Sequence, residues 1–323
     1  MKKRIVHIIL LILCTGILSG QTEQMVIPGD LKQQTVITEP VTLRKGYLRA
    51  GIEGAFIIID KVFDEDGNRS YVLGTNAWGK FSGYQLALHY GITDRLEIGC
   101  KIPYISQKSF VSGVVTSVFD RSDTLISFRT HGRGLGDVEA GIKYQLMRET
   151  ERLPGIMIGT VLALPTGRKN PRNVINDLQY DYPTGDGIFE WETYAIVRKV
   201  IFPFSTTTRV HFEHYFTGNK IFSPGENSID FKNGDKFIIA SDFAVQLNDW
   251  ISLGNEIGFT AFGGNTYHYD PVETSPSSWT VDYNPSLYFQ IRRFRFLQAI
   301  AVPLFGKYNS ADPTYIFGLS YIF

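Results

Sequence analysis

Apolar and polar side chains alternate along most of this chain with a period of two, in segments about ten residues long. The clearest run sets Val138, Ala140, Ile142, Tyr144 and Leu146 against Asp137, Glu139, Gly141, Lys143 and Gln145. Successive side chains of an extended strand point to opposite faces, so the run reads as a strand with one oily and one polar face. Earlier, Leu48, Ala50, Ile52, Phe56 and Ile58 oppose Arg49 and Glu53. Twelve segments of this kind start near residues 47, 84, 96, 138, 156, 190, 209, 236, 251, 279, 294 and 315. The fifth, 156–164, is apolar on both faces, and the eleventh, 294–305, has the weakest alternation.

The connections add a second regularity. Short links near 92–95, 147–154, 199–204, 248–250 and 292–293 alternate with long polar ones near 64–81, 106–134, 167–185, 218–233, 263–277 and 306–312. Membrane barrels show this asymmetry, with tight turns at one rim and long loops at the other. Ten tilted residues also suffice to cross a bilayer. The expected fold is therefore all-β, a 12-stranded antiparallel transmembrane barrel of the bacterial outer membrane over residues 47–323. The even strand count returns both ends of the barrel to the periplasmic side.

The two ends agree with export. Lys2, Lys3 and Arg4 precede an apolar run from Ile5 to Leu18, followed by Ser19 and Gly20. That order predicts a signal peptide over residues 1–20. Residues 21–46 are polar without a period and read as a short periplasmic segment. Tyr315, Phe317, Leu319, Tyr321 and Phe323 give the last strand a large apolar face. An open sheet edge of this kind invites aggregation, whereas a strand entering a closed barrel in lipid escapes it. The ending resembles the C-terminal signal strand of outer-membrane barrels, which implies the barrel-assembly machinery as a partner through Phe323, and membrane lipid around the wall.

Composition narrows the functional classes. Lys plus Arg and Asp plus Glu number 32 each, so no basic field is available for nucleic acid. The two cysteines are Cys14, inside the signal, and Cys100, which excludes a cysteine metal cluster in the exported chain. No second long apolar run exists for a helical bundle. Neither a zinc-ligand spacing nor a phosphate loop is present. Asp64, Asp66 and Asn68 around Gly67 lack the distal Glu of a calcium loop, and read as a solvated turn. No cofactor or metal is expected.

Gly134-Leu135-Gly136-Asp137-Val138-Glu139-Ala140-Gly141-Ile142-Lys143-Tyr144, followed by Leu162-Ala163-Leu164-Pro165-Thr166-Gly167, resembles the transporters named for the meta pathway of phenol degradation. That resemblance implies an outer-membrane barrel passing small apolar or aromatic molecules. The motif residues themselves read as architectural: Gly permits tight loop geometry, and Asp137 is placed to bond nearby backbone amides.

The inward polar set comprises Arg49, Glu53, His89, Glu97, Lys101, Asp137, Glu139, Lys143, Glu190, Glu192, Arg209, Glu213, Lys236, Asp242 and Glu256. It either lines a wet pore or cross-links the lumen, acid to base, between neighbouring strands. Its mixed signs argue against strong ion selection. Three readings of function follow: passive uptake of a small solute, a non-transporting scaffold or binding barrel, and a lipid-facing hydrolase. The last rests on His214, Ser241 and Asn255, whose outward polar groups resemble the serine-hydrolase set of outer-membrane phospholipases. The chain is expected not to be an enzyme. Finally, the loop 106–131 carries apolar pieces at 111–118 and 125–128. It is expected either to fold into the mouth as a constriction or to extend the strands as a hairpin.

Overall fold

The computed structural model describes residues 42–71, 77–116, 123–176, 179–221, 227–269 and 271–323. The signal peptide expected over 1–20 lies outside them, as does the segment 21–41.

Twelve strands form the wall: β1 Leu48–Ile59, β2 Ala77–Gly91, β3 Leu96–Thr116, β4 Val138–Met147, β5 Gly155–Leu164 and β6 Glu190–Ile201. They continue as β7 Phe204–Tyr215, β8 Lys236–Gln246, β9 Ile251–Phe262, β10 Ser278–Ile291, β11 Phe294–Lys307 and β12 Thr314–Ile322. Each pairs antiparallel with the next, and β12 returns to β1 from Arg49↔Ile322 to Ile57↔Thr314. The sheet is thereby closed, so no wall strand leaves an edge in lipid. Among the described residues there is no helix.

Burial follows the pleat. Along β8, Lys236, Ile238, Ala240, Asp242 and Ala244 are buried, while Phe237, Ile239 and Phe243 are exposed. The same holds around the wall, where Ile52, Leu86, Ile98, Ile142, Trp191, Phe212, Ile257 and Leu319 all face outward. An encircling apolar band over a polar interior inverts the arrangement of a soluble barrel and is the surface a bilayer requires.

The turns at the near rim are short and chemically explicit. Thr93 Oγ1 accepts from the amides of Arg95 and Leu96 at 3.2 and 2.9 Å, closing the β2–β3 turn. Asn248 Oδ1 does the same for Trp250 and Ile251 between β8 and β9. Both side chains mimic a backbone turn. Beyond the far rim β3 runs on to Thr116 and pairs with a returning strand, 123–135, from Tyr104↔Leu135 to Thr116↔Asp123. Strand extension, rather than an infolded constriction, is thus the path of the loop's backbone. Pairing 13 residues on each side satisfies amides that a plug would have had to bond to the lumen wall.

Candidate functional site in the barrel lumen

Four strands bring Arg49, His89, Glu97 and Lys143 together near the short-turn rim. The Glu97 carboxylate lies 2.9 Å from His89 Nδ1, 2.9 Å from Lys143 Nζ and 3.7 Å from Arg49 Nη2. A carboxylate buried this fully is tolerable only when paired and hydrogen-bonded. Its second oxygen accepts from the backbone amide of Leu43 at 2.7 Å. Thr42 Oγ1 reaches Gln145 Oε1 at 3.3 Å, and the Gly46 amide bonds the Gly91 carbonyl at 2.8 Å. Gly91 passes so close to the Arg44 carbonyl that a Cβ there would lie 2.0 Å away. Residues 42–46, read from sequence as periplasmic lead, are therefore docked on the barrel. The period-two pattern missed them because they are held by backbone donors and one glycine contact.

Further along the lumen, polar groups pair between adjoining or next-but-one strands. Glu53 accepts from Gln85 Nε2 at 2.5 Å, and Lys101 pairs with Glu139 at 3.4 Å. His211 Nδ1 lies 2.5 Å from Glu192, with the Tyr194 ring stacked on it at 5.2 Å. Lys236 and Glu213 meet at 2.9 Å with neither side chain exposed, and Tyr215 donates its hydroxyl to the same carboxylate at 2.9 Å. Glu190 stands opposite Tyr215 in register. Arg209 pairs with Glu256, which also accepts from Asn284 Nδ2 at 3.0 Å, and Asp242 stands opposite Glu256. Of the two arrangements the sequence left open, these contacts are those of a lumen cross-linked between strands.

Asp137 differs from the rest of the inward set. It precedes β4 at the far rim, where it accepts from the amides of Gly167 at 2.8 Å and Asp186 at 2.7 Å. Thr166 Oγ1 accepts from the Val138 amide at 2.9 Å and bonds the Gly136 carbonyl at 3.2 Å. A Cβ at Gly167 or Gly185 would collide with this knot. Asp137 thus anchors two connections, as its motif's architecture implied. Burial, with the Asp186 carboxylate adding to it, pushes Asp137 up to about 6 against the opposing pull of the two amides.

At the far rim lies a feature that alternation could not show. Tyr182, Ile188, Tyr215, Phe231 and Tyr267 form a buried cluster, with Ile229 and Tyr269 packed against it. The cluster draws on three long connections, two of which are tied into a small sheet by strands 218–220, 229–232, 266–267 and 273–274. Lys220 lies over the Phe231 ring at 5.9 Å and pairs with Asp186 at 3.4 Å. The available signal was aromatic residues set singly in otherwise polar links.

The structure does not bring together the three residues on which the hydrolase reading rests. His214, Ser241 and Asn255 do face outward, but each has its own partner. His214 Nδ1 lies 3.1 Å from Asp235, Ser241 lies 3.0 Å from Thr208, and Asn255 accepts from the Tyr283 hydroxyl at 2.5 Å. Ser241 is in register with Thr208, six residues before His214 on β7, which is about 20 Å at a strand's rise. Strand geometry fixes that separation, so histidine cannot activate the serine. In the connection between β1 and β2, Asp64 Oδ1 accepts from the amides of Asp66 and Asn68 at 3.0 and 2.8 Å, as a turn rather than a cation loop does.

No protein-family model and no curated protein matches the chain. Among solved structures, it is similar to an outer membrane channel from Pseudomonas putida F1, at 15% identity and a TM-score of 0.66, over 93% of this chain and 100% of that one. The β domain of the Bordetella autotransporter BrkA matches at 10% identity and a TM-score of 0.46, over 85% and 99%. The CymD monoaromatic hydrocarbon channel matches at 9% identity and 0.45, over 86% and 88%. The first of these likenesses is one of fold.

Proposed function

We propose that the chain is a channel of the bacterial outer membrane for passive uptake of small apolar or aromatic molecules. The observation that carries the proposal is the aromatic cluster of Tyr182, Tyr215, Phe231 and Tyr267 at the far mouth. It is continuous with the lumen through the Tyr215–Glu213 hydrogen bond. Rings offer an incoming aromatic both apolar area and favourable edge-to-face geometry. The outward apolar band supports a membrane location, and the resemblance of residues 134–167 to the meta-pathway transporters supports the solute class. The fold shared with the Pseudomonas putida channel is consistent with passage. On this reading a solute displaces the cluster at one end and residues 42–46 at the other. The apolar face of β12, ending at Phe323, serves barrel assembly.

A second reading, a non-transporting binding barrel, is favoured by the ion pairs that join neighbouring strands across the lumen. Planar-bilayer conductance and liposome uptake of phenol-sized aromatics separate the two. Uptake above that of empty liposomes is the expected result. A folded barrel that neither conducts nor passes aromatics sinks the channel reading in favour of the binding barrel.

A further inference from the structure

On the outer wall, Lys80 of β2 stands directly opposite Lys108 of β3, and Lys108 directly opposite His131 of the returning strand. Residues in register on adjacent strands share a face with Cβ atoms about 5 Å apart, and like charges so placed repel. Arg129 and Arg133 flank His131 at two-residue spacing, so they share its face, and all five side chains are exposed. Between these outward positions Gln107, Ser109 and Thr130 point inward and are buried. No carboxylate among the described residues pairs with any of the five. Asp181, in register with His131, is taken by Arg168 at 2.5 Å. Two cations rest on rings instead: Lys80 over Phe56 at 4.9 Å and Arg129 over Phe110 at 5.5 Å.

The height of this cluster is as informative as its charge. Lys80 is in register with Ile58, the last outward apolar residue of β1, whose first is Leu48. Ten residues at ~3.3 Å, tilted by ~40°, rise about 25 Å, the height of a barrel's apolar band. The exposed Tyr84, Tyr104 and Leu135 lie just below it on the same three strands. Elsewhere at the same rim, Trp191, Phe237, Trp279 and Tyr315 face outward, and the nearby His214 is matched by Asp235. Among the described residues, Lys307 stands opposite Trp279, but the cations gather mainly in one sector, at the level where lipid phosphates meet the wall.

We infer that this sector is a binding site for the phosphorylated headgroup of an outer-leaflet glycolipid of the lipid A type. The inference rests on the barrel's lying in the membrane with its long connections outside, and is independent of transport. Two phosphates between Lys80, Lys108, His131 and Arg133 turn the cross-strand repulsion into charge-assisted hydrogen bonds. Acyl chains then follow the apolar wall below, over Tyr84 and Tyr104.

The test titrates the full chain, folded in zwitterionic detergent, with bisphosphorylated lipid A, its dephosphorylated counterpart and inorganic phosphate. Binding is read by native mass spectrometry. The bisphosphorylated lipid is expected to bind at least about ten-fold more tightly than the dephosphorylated one, and to weaken as salt rises. K80Q/K108Q is expected to lose about ten-fold or more of that affinity while keeping its heat-modifiable gel mobility. Equal binding of both lipids, or an unchanged K80Q/K108Q, overturns the proposal. So does full competition by inorganic phosphate at matched phosphate concentration, which marks a free-anion site. Should K80Q/K108Q fail to fold, R133Q and the salt titration of the unaltered chain decide. Affinity that ignores both overturns the inference equally.

Discussion

The backbone amide of Leu43 donates to the buried carboxylate of Glu97 at 2.7 Å, joining the chain's entry segment to the charged centre of the lumen. The other Glu97 oxygen is held by His89 and Lys143. One carboxylate therefore lies among the near-rim cations and fastens residues 42–46. Replacing it with glutamine keeps the size but strands Arg49 and Lys143 beside a neutral amide. Glu97→Gln is expected to lose about 3–5 kcal/mol of stability, the usual cost of breaking a buried pair. Residues 42–46 should become protease-sensitive and bilayer conductance should rise. Denaturant unfolding, limited proteolysis and conductance check the three parts.

Asp137 gives a pH dependence with a definite sign. Its folded value of about 6 lies above the ordinary 3.8, so the folded state binds the proton more tightly than the unfolded chain. The contribution is fully present below pH ~4 and is lost as pH rises through ~6, by about 3 kcal/mol at ~1.4 kcal/mol per unit. Asp137→Asn should abolish this part of the pH profile. It should also weaken the far rim by about 1–3 kcal/mol, since an amide oxygen replaces only one of two acceptors. Denaturation of both proteins between pH 4 and pH 8 isolates the difference. Parallel profiles would rule out this role for Asp137.

How much of this was legible in the sequence differs between wall and lumen. The strands announce themselves because pleat, lipid and polar interior impose one period on every segment, as in 138–146. The extension of β3 to Thr116 was less plain, because the same β-branched run suits a plug or a hairpin. Which acid meets which base is not periodic at all. Lys101 reaches Glu139 and Lys236 reaches Glu213 through register, which depends on turn geometry. The docking of residues 42–46 and the far-mouth cluster leave still less trace, since both join pieces from distant connections.

Ser241 should be chemically silent. Its hydroxyl shares a hydrogen bond with Thr208 on the outer wall, and strand geometry holds His214 far from it. Ser241→Ala is expected to change stability by under about 1 kcal/mol, as for one exposed neutral hydrogen bond. It should leave lipid hydrolysis at the buffer level. Hydrolysis by the unaltered chain that disappears in this variant would revive the enzyme reading.

Phe323 closes the outward face of β12, in edge contact with Tyr321 at 4.7 Å. Its amide bonds the Leu48 carbonyl at 2.8 Å, so the residue also seals the β12–β1 seam. Deleting it is expected to slow assembly in cells, with unfolded chain accumulating outside the membrane fraction. Refolding into detergent should remain possible, because the ladder from Arg49↔Ile322 onward is intact. Equal defects in both assays would assign Phe323 to the seam alone rather than to recognition by the assembly machinery.

Phe231 tests whether the far-mouth cluster limits passage. Its side chain is fully buried, tilted against Tyr267 at 5.2 Å and covered by Lys220. Phe231→Ala removes the ring and leaves a cavity, which for a buried aromatic costs about 3–5 kcal/mol. Of the buried cluster around that ring only Tyr215 belongs to a wall strand, so the loss should fall mainly on the connections 216–235 and 263–277. Proteolysis within them is expected to rise while the gel mobility of the folded barrel stays unchanged. If the cluster is the solute's entry gate, uptake of phenol-sized aromatics should also rise, and larger solutes should begin to pass. Faster proteolysis with an unaltered uptake rate and size limit would place the constriction elsewhere, at the Glu97 end.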